Sequence, residues 1–297
     1  MKKIPFKLFL ALLWLSRRKK RFASEVNMRA AILKDRKRVD ETPPAGLKKR
    51  FSVTRRTVHG SPWYTLGPLA RHDNKRHVLY FHGGAHCMEM TRQHWQFLAE
   101  LVSITGCVVH VPIYPLAPEH THREAFEMLD ELYRALVTEV PPESLVFMGD
   151  SSGGGFALAY AQRLLDSGRT QPRDILLISP WLDLTMQSSQ PLASEIDDPW
   201  LDVPGMVSAA SWWAGERDVG DPHISPLFGP LSGLGRITLL VGTREILFGD
   251  ALALRNLAEK EGVEINWLEG NGLIHVWPLL PIAGAIRGRN LIADLLR

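Results

Sequence analysis

The sequence has little cysteine, only Cys87 and Cys107, so no disulfide framework can hold it together. Its Cys and His residues nowhere fall at zinc-site spacing. No apolar run approaches the roughly 20 residues that a membrane-spanning helix requires. Internal repeats and low-complexity tracts are missing, and so is the Gly-Lys-Ser/Thr signature of a P-loop. What remains is ordinary globular usage: 297 residues, 45% hydrophobic and 23% charged. That is enough for one large domain or two small ones around a substantial core.

Acidic residues are scarce at the start of the chain. Residues 1–60 hold 18 Lys and Arg against 4 Asp and Glu, a net +14, whereas the remainder is −11. Such asymmetry points to a polyanionic surface near the basic arm. Residues 8–15 (LFLALLWL) lie between Lys2, Lys3 and Lys7 and the run Arg17-Arg18-Lys19-Lys20-Arg21. The strongly basic exit, with no small-residue cleavage site, fits a secretory leader poorly. Two readings of residues 1–50 stay open. One is an interfacial helix whose cations meet anionic headgroups through residues 1–21. The other is a helix packed on the body as part of a cap. No nucleic acid is expected, because neither a binding module nor aromatic interleaving is present. The expected setting is cytoplasmic, at the inner membrane face if the arm docks there, and a homo-oligomer is left open.

Beyond the arm, short apolar runs alternate with helical patterns. Strands are predicted at 52–58 and 63–66, as a hairpin, then at 77–81, 107–113, 145–148, 175–179, 237–241 and 265–268. Helices are predicted at 91–105, 122–140, 153–167 and 248–261, with another in the tail from Pro278. Strands followed by helices imply a mostly parallel sheet with right-handed crossovers, covered on both faces. Residues 51–297 therefore read as one α/β domain. Residues 183–225, with Trp200, Trp212 and Trp213, are too long for a simple connection. They read as an inserted cap over one edge of the sheet, joined by the arm.

Gly149-Asp150-Ser151-Ser152-Gly153 fits G-x-S-x-G. Here the pattern follows a predicted strand and opens a predicted helix, the context it requires. Ser151 would project from a sharp corner above a helix N-terminus, where developing negative charge is favoured. A hydroxyl is a poor nucleophile unaided and needs a base and oxyanion donors. His82-Gly83-Gly84-Ala85 follows the third strand, and the N–H groups of Gly83, Gly84 and Ser152 are the expected donors. His82 reads as a brace for the loop. The spacing of His82 and His86 suits no metal pair, because the two flank a glycine turn.

Tyr80-Phe81-His82-Gly83-Gly84, Tyr114-Pro115-Leu116-Ala117-Pro118-Glu119, Gly149-Asp150-Ser151-Ser152-Gly153-Gly154 and Asp221-Pro222-His223-Ile224-Ser225-Pro226 occur in that order. This series resembles the motifs of the hormone-sensitive-lipase-like branch of the α/β-hydrolases, its bacterial esterases in particular, from about Phe51 onward. The resemblance implies a central, mostly parallel eight-stranded sheet flanked by helices, a helical cap, and cofactor-free hydrolysis of short- to medium-chain carboxylic esters by a serine carboxylesterase or lipase.

On that fold the chain order is Ser, then Asp or Glu, then His. His275 is the only histidine after the seventh strand, and it becomes the expected base. Glu245, just after that strand, is the expected acid, with Asp250 and Asp183 as alternatives. Ala85 stands where the family often has Gly and is expected to take ordinary φ. His86, Glu89, Trp200, Trp212 and Trp213 are the candidate pocket residues; the tryptophans could equally be cap core. Glu89 would either face solvent or read a polar substrate group. An amidase or deacetylase would use the same residues, and a non-catalytic ligand-binding protein could share the fold.

Overall fold

The computed structural model describes residues 3–70 and 72–297. Its eight strands are β1 (Phe51–Val58), β2 (Ser61–Pro68), β3 (His77–Phe81), β4 (Val108–Pro112), β5 (Leu145–Asp150), β6 (Asp174–Ile178), β7 (Arg236–Gly242) and β8 (Ile265–Gly270). They form one sheet in the order β1-β2-β4-β3-β5-β6-β7-β8. β2 runs antiparallel to both β1 and β4, and every other pairing is parallel. β2 is longer than the alternating pattern suggests, because it pairs with β1 along its whole length from Ser61 to Pro68.

The helices are α1 (Phe6–Leu15), α2 (Glu25–Arg36), α3 (Arg92–Thr105), α4 (His122–Leu136), α5 (Ser152–Asp166), α6 (Gln190–Ala193), α7 (Val203–Ala214), α8 (Phe248–Glu261) and α9 (Ala285–Leu295). α4 ends at Leu136, short of the predicted Val140. Pro141 and Pro142 follow, and a residue before proline is disfavoured in the helical region. α3 and α9 cover one face of the sheet through Phe97, Leu98, Leu101 and Ile292. α4, α5 and α8 cover the other through Phe126, Leu129, Phe156 and Leu254. Both faces are thus dry over β3 to β7, which explains why those strands are apolar without alternation, whereas the edge strand β8 alternates.

Residues 183–225 carry α6 and α7. The N-terminal arm packs against α7. A Cβ on Gly205 would lie 2.5 Å from the Cα of Phe22, and the Arg29 guanidinium sits 4.4 Å above the Trp212 ring. Met28 and Ile32 of α2 are buried in the same cluster. α1 is anchored at its start by Ile4 N–H donating to Pro281 O at 2.7 Å. Phe6, Phe9, Leu10 and Leu13 of α1 pack inward. Its other face is bare: Leu8, Leu12, Trp14 and Leu15 are 48%, 50%, 76% and 67% exposed. Among the described residues no helix is long and apolar enough to cross a membrane.

Candidate active site

Ser151 is the single residue between β5 and α5. Its backbone is left-handed, with φ 54° and ψ −127°, a conformation that costs a non-glycine residue about 1–3 kcal/mol. Packing imposes it. Ser151 N–H donates to Ile178 O at 2.8 Å, and Ser151 O accepts from Trp181 N–H at 3.0 Å. The tight corner needs Gly153, where a Cβ would lie 2.1 Å from Phe81 O.

His275 sits on the loop between β8 and α9. Its Nε2 is 2.9 Å from Ser151 Oγ, and its Nδ1 is hydrogen-bonded to Glu245 Oε2. A carboxylate only accepts, so Nδ1 carries the proton and Nε2 is left to accept from the Ser151 hydroxyl. Glu245 follows β7 and is fully buried. Its Oε1 accepts from Ser179 Oγ at 2.6 Å and from Gly242 N–H at 2.7 Å. The Ser179 hydroxyl in turn accepts from Val276 N–H at 3.0 Å. One serine after β6 therefore locks the acid loop to the histidine loop.

The alternative carboxylates do other work. Asp250 Oδ2 accepts from Leu182 N–H at 2.7 Å and Asp183 N–H at 3.0 Å, and its Oδ1 accepts from Ser189 Oγ. Burial pushes its carboxyl up to about 7. Asp183 caps its own turn through Thr185 and Ser188. Both fix the entry to the insertion, and neither hydrogen-bonds His275.

The His-Gly loop requires a correction. Gly83 N–H donates to Asp150 Oδ1 at 3.0 Å, so it is already engaged and is not an open donor. Asp150 also accepts from Tyr80 OH, and its Oδ2 lies 3.4 Å from His94 Nε2. Burial alone would raise the Asp150 carboxyl. His94, Tyr80 and Gly83 outweigh that and hold it below its usual range. The donors without a protein acceptor among the described residues lie one step on, at Gly84 and Ala85. Ser152 N–H opens α5, where the first N–H groups have no intrahelical partner. The expectation of ordinary φ at Ala85 is overturned as well. Gly84, Ala85 and His86 take φ of 135°, 53° and 58°, because presenting successive N–H groups to one side needs a left-handed run. Ala85 carries strain there that glycine would avoid. His82 stacks on Tyr114 at 4.5 Å, and Tyr114 OH donates to His82 O at 2.5 Å. Burial holds its imidazole down at about 4, neutral at ordinary pH.

A cavity of about 80 Å³ opens above Ser151. Trp200 and Met206 of the insertion line it, as do Arg18, Phe22 and Val39 of the arm. Of the candidate pocket residues, Trp200 and Glu89 border this space; His86, Trp212 and Trp213 do not. His86 stacks on Trp213 at 4.1 Å, behind the His-Gly loop, and burial drives its imidazole down to about 3. Trp213 is core, and Trp212 is half-buried against the same cluster, beneath the Arg29 guanidinium. Glu89 neither faces solvent nor stands free. Arg36 of α2 pairs with it at 2.5 Å and with Glu119 at 2.6 Å, which clamps the arm to the His-Gly loop.

Sequence reasoning missed several positioning residues. Asp150 lay inside the quoted motif, but nothing marked it as the anchor of Gly83. Asp198 is buried; its Oδ1 accepts from Trp200 and Leu201 N–H, and its Oδ2 accepts from Ile246 N–H at 3.0 Å. It ties the insertion to the Glu245 loop. The Asp-Pro pair is a turn signal that could have flagged it. Ser179 carries no local signal at all. Among the described residues no group of three or more His, Cys, Asp or Glu is placed to hold a metal ion.

Comparison with known proteins places the site in context. The α/β-hydrolase-fold family matches residues 78–279. An esterase of Acinetobacter venetianus is 33% identical over 193 residues, covering 64% of this chain and 63% of its own length. An acetyl-hydrolase of Streptomyces hygroscopicus is 32% identical over 217 residues, 71% of this chain and 72% of its own. Esterase LipU of Mycobacterium tuberculosis is 30% identical over 264 residues, 86% of this chain and 88% of its own. Among solved structures, an esterase/lipase from an uncultured bacterium superposes with a TM-score of 0.82 at 26% identity, covering 97% of both chains. An esterase from the bacterial hormone-sensitive lipase family gives 0.83 at 25%, covering 100% of this chain and 99% of its own.

Proposed function

The chain belongs to the α/β-hydrolase family, in its hormone-sensitive-lipase-like branch, and from that premise we propose that it is a serine carboxylic-ester hydrolase acting through an acyl-enzyme on Ser151. One observation carries the reading: Ser151, His275 and Glu245 form a continuous hydrogen-bonded line at the floor of a small cavity. His275 Nε2 takes the hydroxyl proton as Ser151 Oγ attacks the ester carbonyl. Glu245 holds the imidazole in the required tautomer and stabilises the imidazolium without accepting its proton. The N–H groups of Gly84, Ala85 and Ser152 receive the oxyanion; they act on charge that appears only in the transition state. His275 then protonates the leaving alcohol, and water repeats the sequence on the acyl-enzyme. Residues 1–50 and 183–225 together act as the cap that excludes bulk water. The cavity of about 80 Å³ favours the short end of the acyl range. Hydrolysis of 4-nitrophenyl esters from acetate to dodecanoate tests this. The expected optimum lies at four carbons or fewer, and folded protein that hydrolyses none of the series sinks the reading.

The arm has a second role in this proposal, contact with an anionic bilayer. Leu8, Leu12 and Leu15 form one stripe on α1, exposed beside Trp14. Lys7, Arg17, Lys19 and Lys20 flank it, and no acidic residue precedes Glu25. Met1 and Lys2 lie outside the described residues. Such a helix buries its apolar face at the headgroup boundary while its cations meet anionic lipid. The expected result is cosedimentation with phosphatidylglycerol vesicles and not with phosphatidylcholine vesicles, weakened by salt and lost in Leu12→Glu/Leu15→Glu. Equal binding of the double variant refutes the contact.

A further inference from the structure

We propose that Arg18 makes the Ser151 cavity selective for esters that carry an anionic group, a carboxylate or a phosphate, close to the scissile carbonyl. The inference deepens the esterase reading and rests on it. Arg18 opens the turn after α1 and lines the cavity alongside Ser151 and His275. Its guanidinium lies 4.0 Å above the Trp200 ring. Trp200 in turn meets His275 edge to face, with centroids 6.0 Å apart. One indole therefore separates the cation from the imidazole that handles the proton.

The charge balance of the lining singles Arg18 out. The carboxylates there are matched by other groups: Asp35 by Arg21 at 2.9 Å, Glu89 by Arg36 at 2.5 Å, and Asp150 by His94 at 3.4 Å. The Arg18 guanidinium makes no hydrogen bond and no close ion pair with any of the described residues; it rests on the Trp200 ring, and the Asp35 carboxylate acts on it only at longer range. Arg18 is half-buried. Burial lowers its guanidinium to about 10, with Arg21 adding to the effect and Asp35 opposing it, so it stays charged at neutral pH. Removing a cation from water without a partner is costly, and an incoming anion would offset that cost. Stacking on an indole leaves the edges of the guanidinium open. Those edges present paired N–H groups in a fork that matches carboxylate or phosphate.

Two matched pairs of substrates test the assignment. The first is mono-4-nitrophenyl glutarate against 4-nitrophenyl pentanoate, with the anion on the acyl side. The second is dibutyroyl phosphatidic acid against dibutyroylglycerol, with a phosphate on the alcohol side. In at least one pair the anionic ester should be preferred by about tenfold or more in kcat/KM, and the pair that responds identifies the anion and its side. Arg18→Gln should erase the preference, the anionic ester losing about tenfold more in kcat/KM than its neutral partner. No preference in either pair, a preference that survives Arg18→Gln, or an equal fall for both members overturns the proposal and leaves Arg18 as a roof contact on Trp200. A second measurement needs neither turnover nor a variant. Tryptophan fluorescence of the wild type should respond to glutarate and not to glutaramide, and equal responses or none count against the assignment. Failure to hydrolyse any ester contradicts the esterase reading instead, and the titration then still reports on Arg18 by itself.

Discussion

Ser151→Ala is expected to lower kcat for 4-nitrophenyl butyrate on the order of 10⁴-fold or more, with the circular dichroism spectrum unchanged. The same loss is expected for His275→Ala. The double variant should be scarcely worse than either single one, because the two groups act as one unit and their effects do not add. Independent losses that multiply would mean that Ser151 and His275 do not share a proton. The fold should tolerate these changes. The corner at Ser151 is set by β5, α5 and the hydrogen bonds of its own backbone, and none of these uses the hydroxyl. Ser151→Gly should raise stability by about 1 kcal/mol, since glycine takes φ 54° without strain.

Glu245→Gln is expected to cost about 10³-fold or more in kcat, nearly as much as losing the histidine. The reason is the tautomer. A carboxylate forces Nδ1 to carry the proton, whereas an amide can turn its NH2 toward Nδ1 and leave Nε2 protonated. Nε2 could then no longer accept from Ser151. Gly242 N–H and the Ser179 hydroxyl, both of which now donate to Oε1, hold the amide in that orientation because they need its oxygen as acceptor. Asp250→Asn serves as the contrast and should lower kcat/KM less than tenfold. Its two backbone partners need only an acceptor oxygen, and Ser189 can accept from the amide. Reversed magnitudes for the two variants would move the acid role to Asp250.

Local physics explains what was legible in the sequence. The central strands β3 to β7 could be read because a sheet buried on both faces needs continuous apolar runs, whereas the mostly exposed β1 was legible only as a hairpin partner of β2. Ser151 and His275 could be singled out because each lies in a loop that follows a strand, at positions that chain order identifies, and the structure brings the two within hydrogen-bond distance. The open N–H groups lie one residue further along than expected, at Gly84 and Ala85. Two adjacent glycines suggest open N–H groups, yet it is the Asp150 carboxylate, distant in sequence from Gly83, that takes the first of them. Ala85 misled for a related reason: its side chain argues against a left-handed φ, and the surrounding loop imposes one. The pocket was read worst. His86, Trp212 and Trp213 are large and near the motifs, but which face of α7 meets the cavity depends on how α2 docks against it. Arg36, Glu89 and Glu119 set that docking through pairings between segments far apart in the chain.

The most direct test of the account is the site of covalent modification by a 4-nitrophenyl alkylphosphonate, which traps an activated serine as a stable tetrahedral adduct. Peptide mass spectrometry should find one equivalent on Ser151, with none in His275→Ala. An adduct on Ser152, on any other residue, or on none would contradict the assignment of Ser151 as the nucleophile.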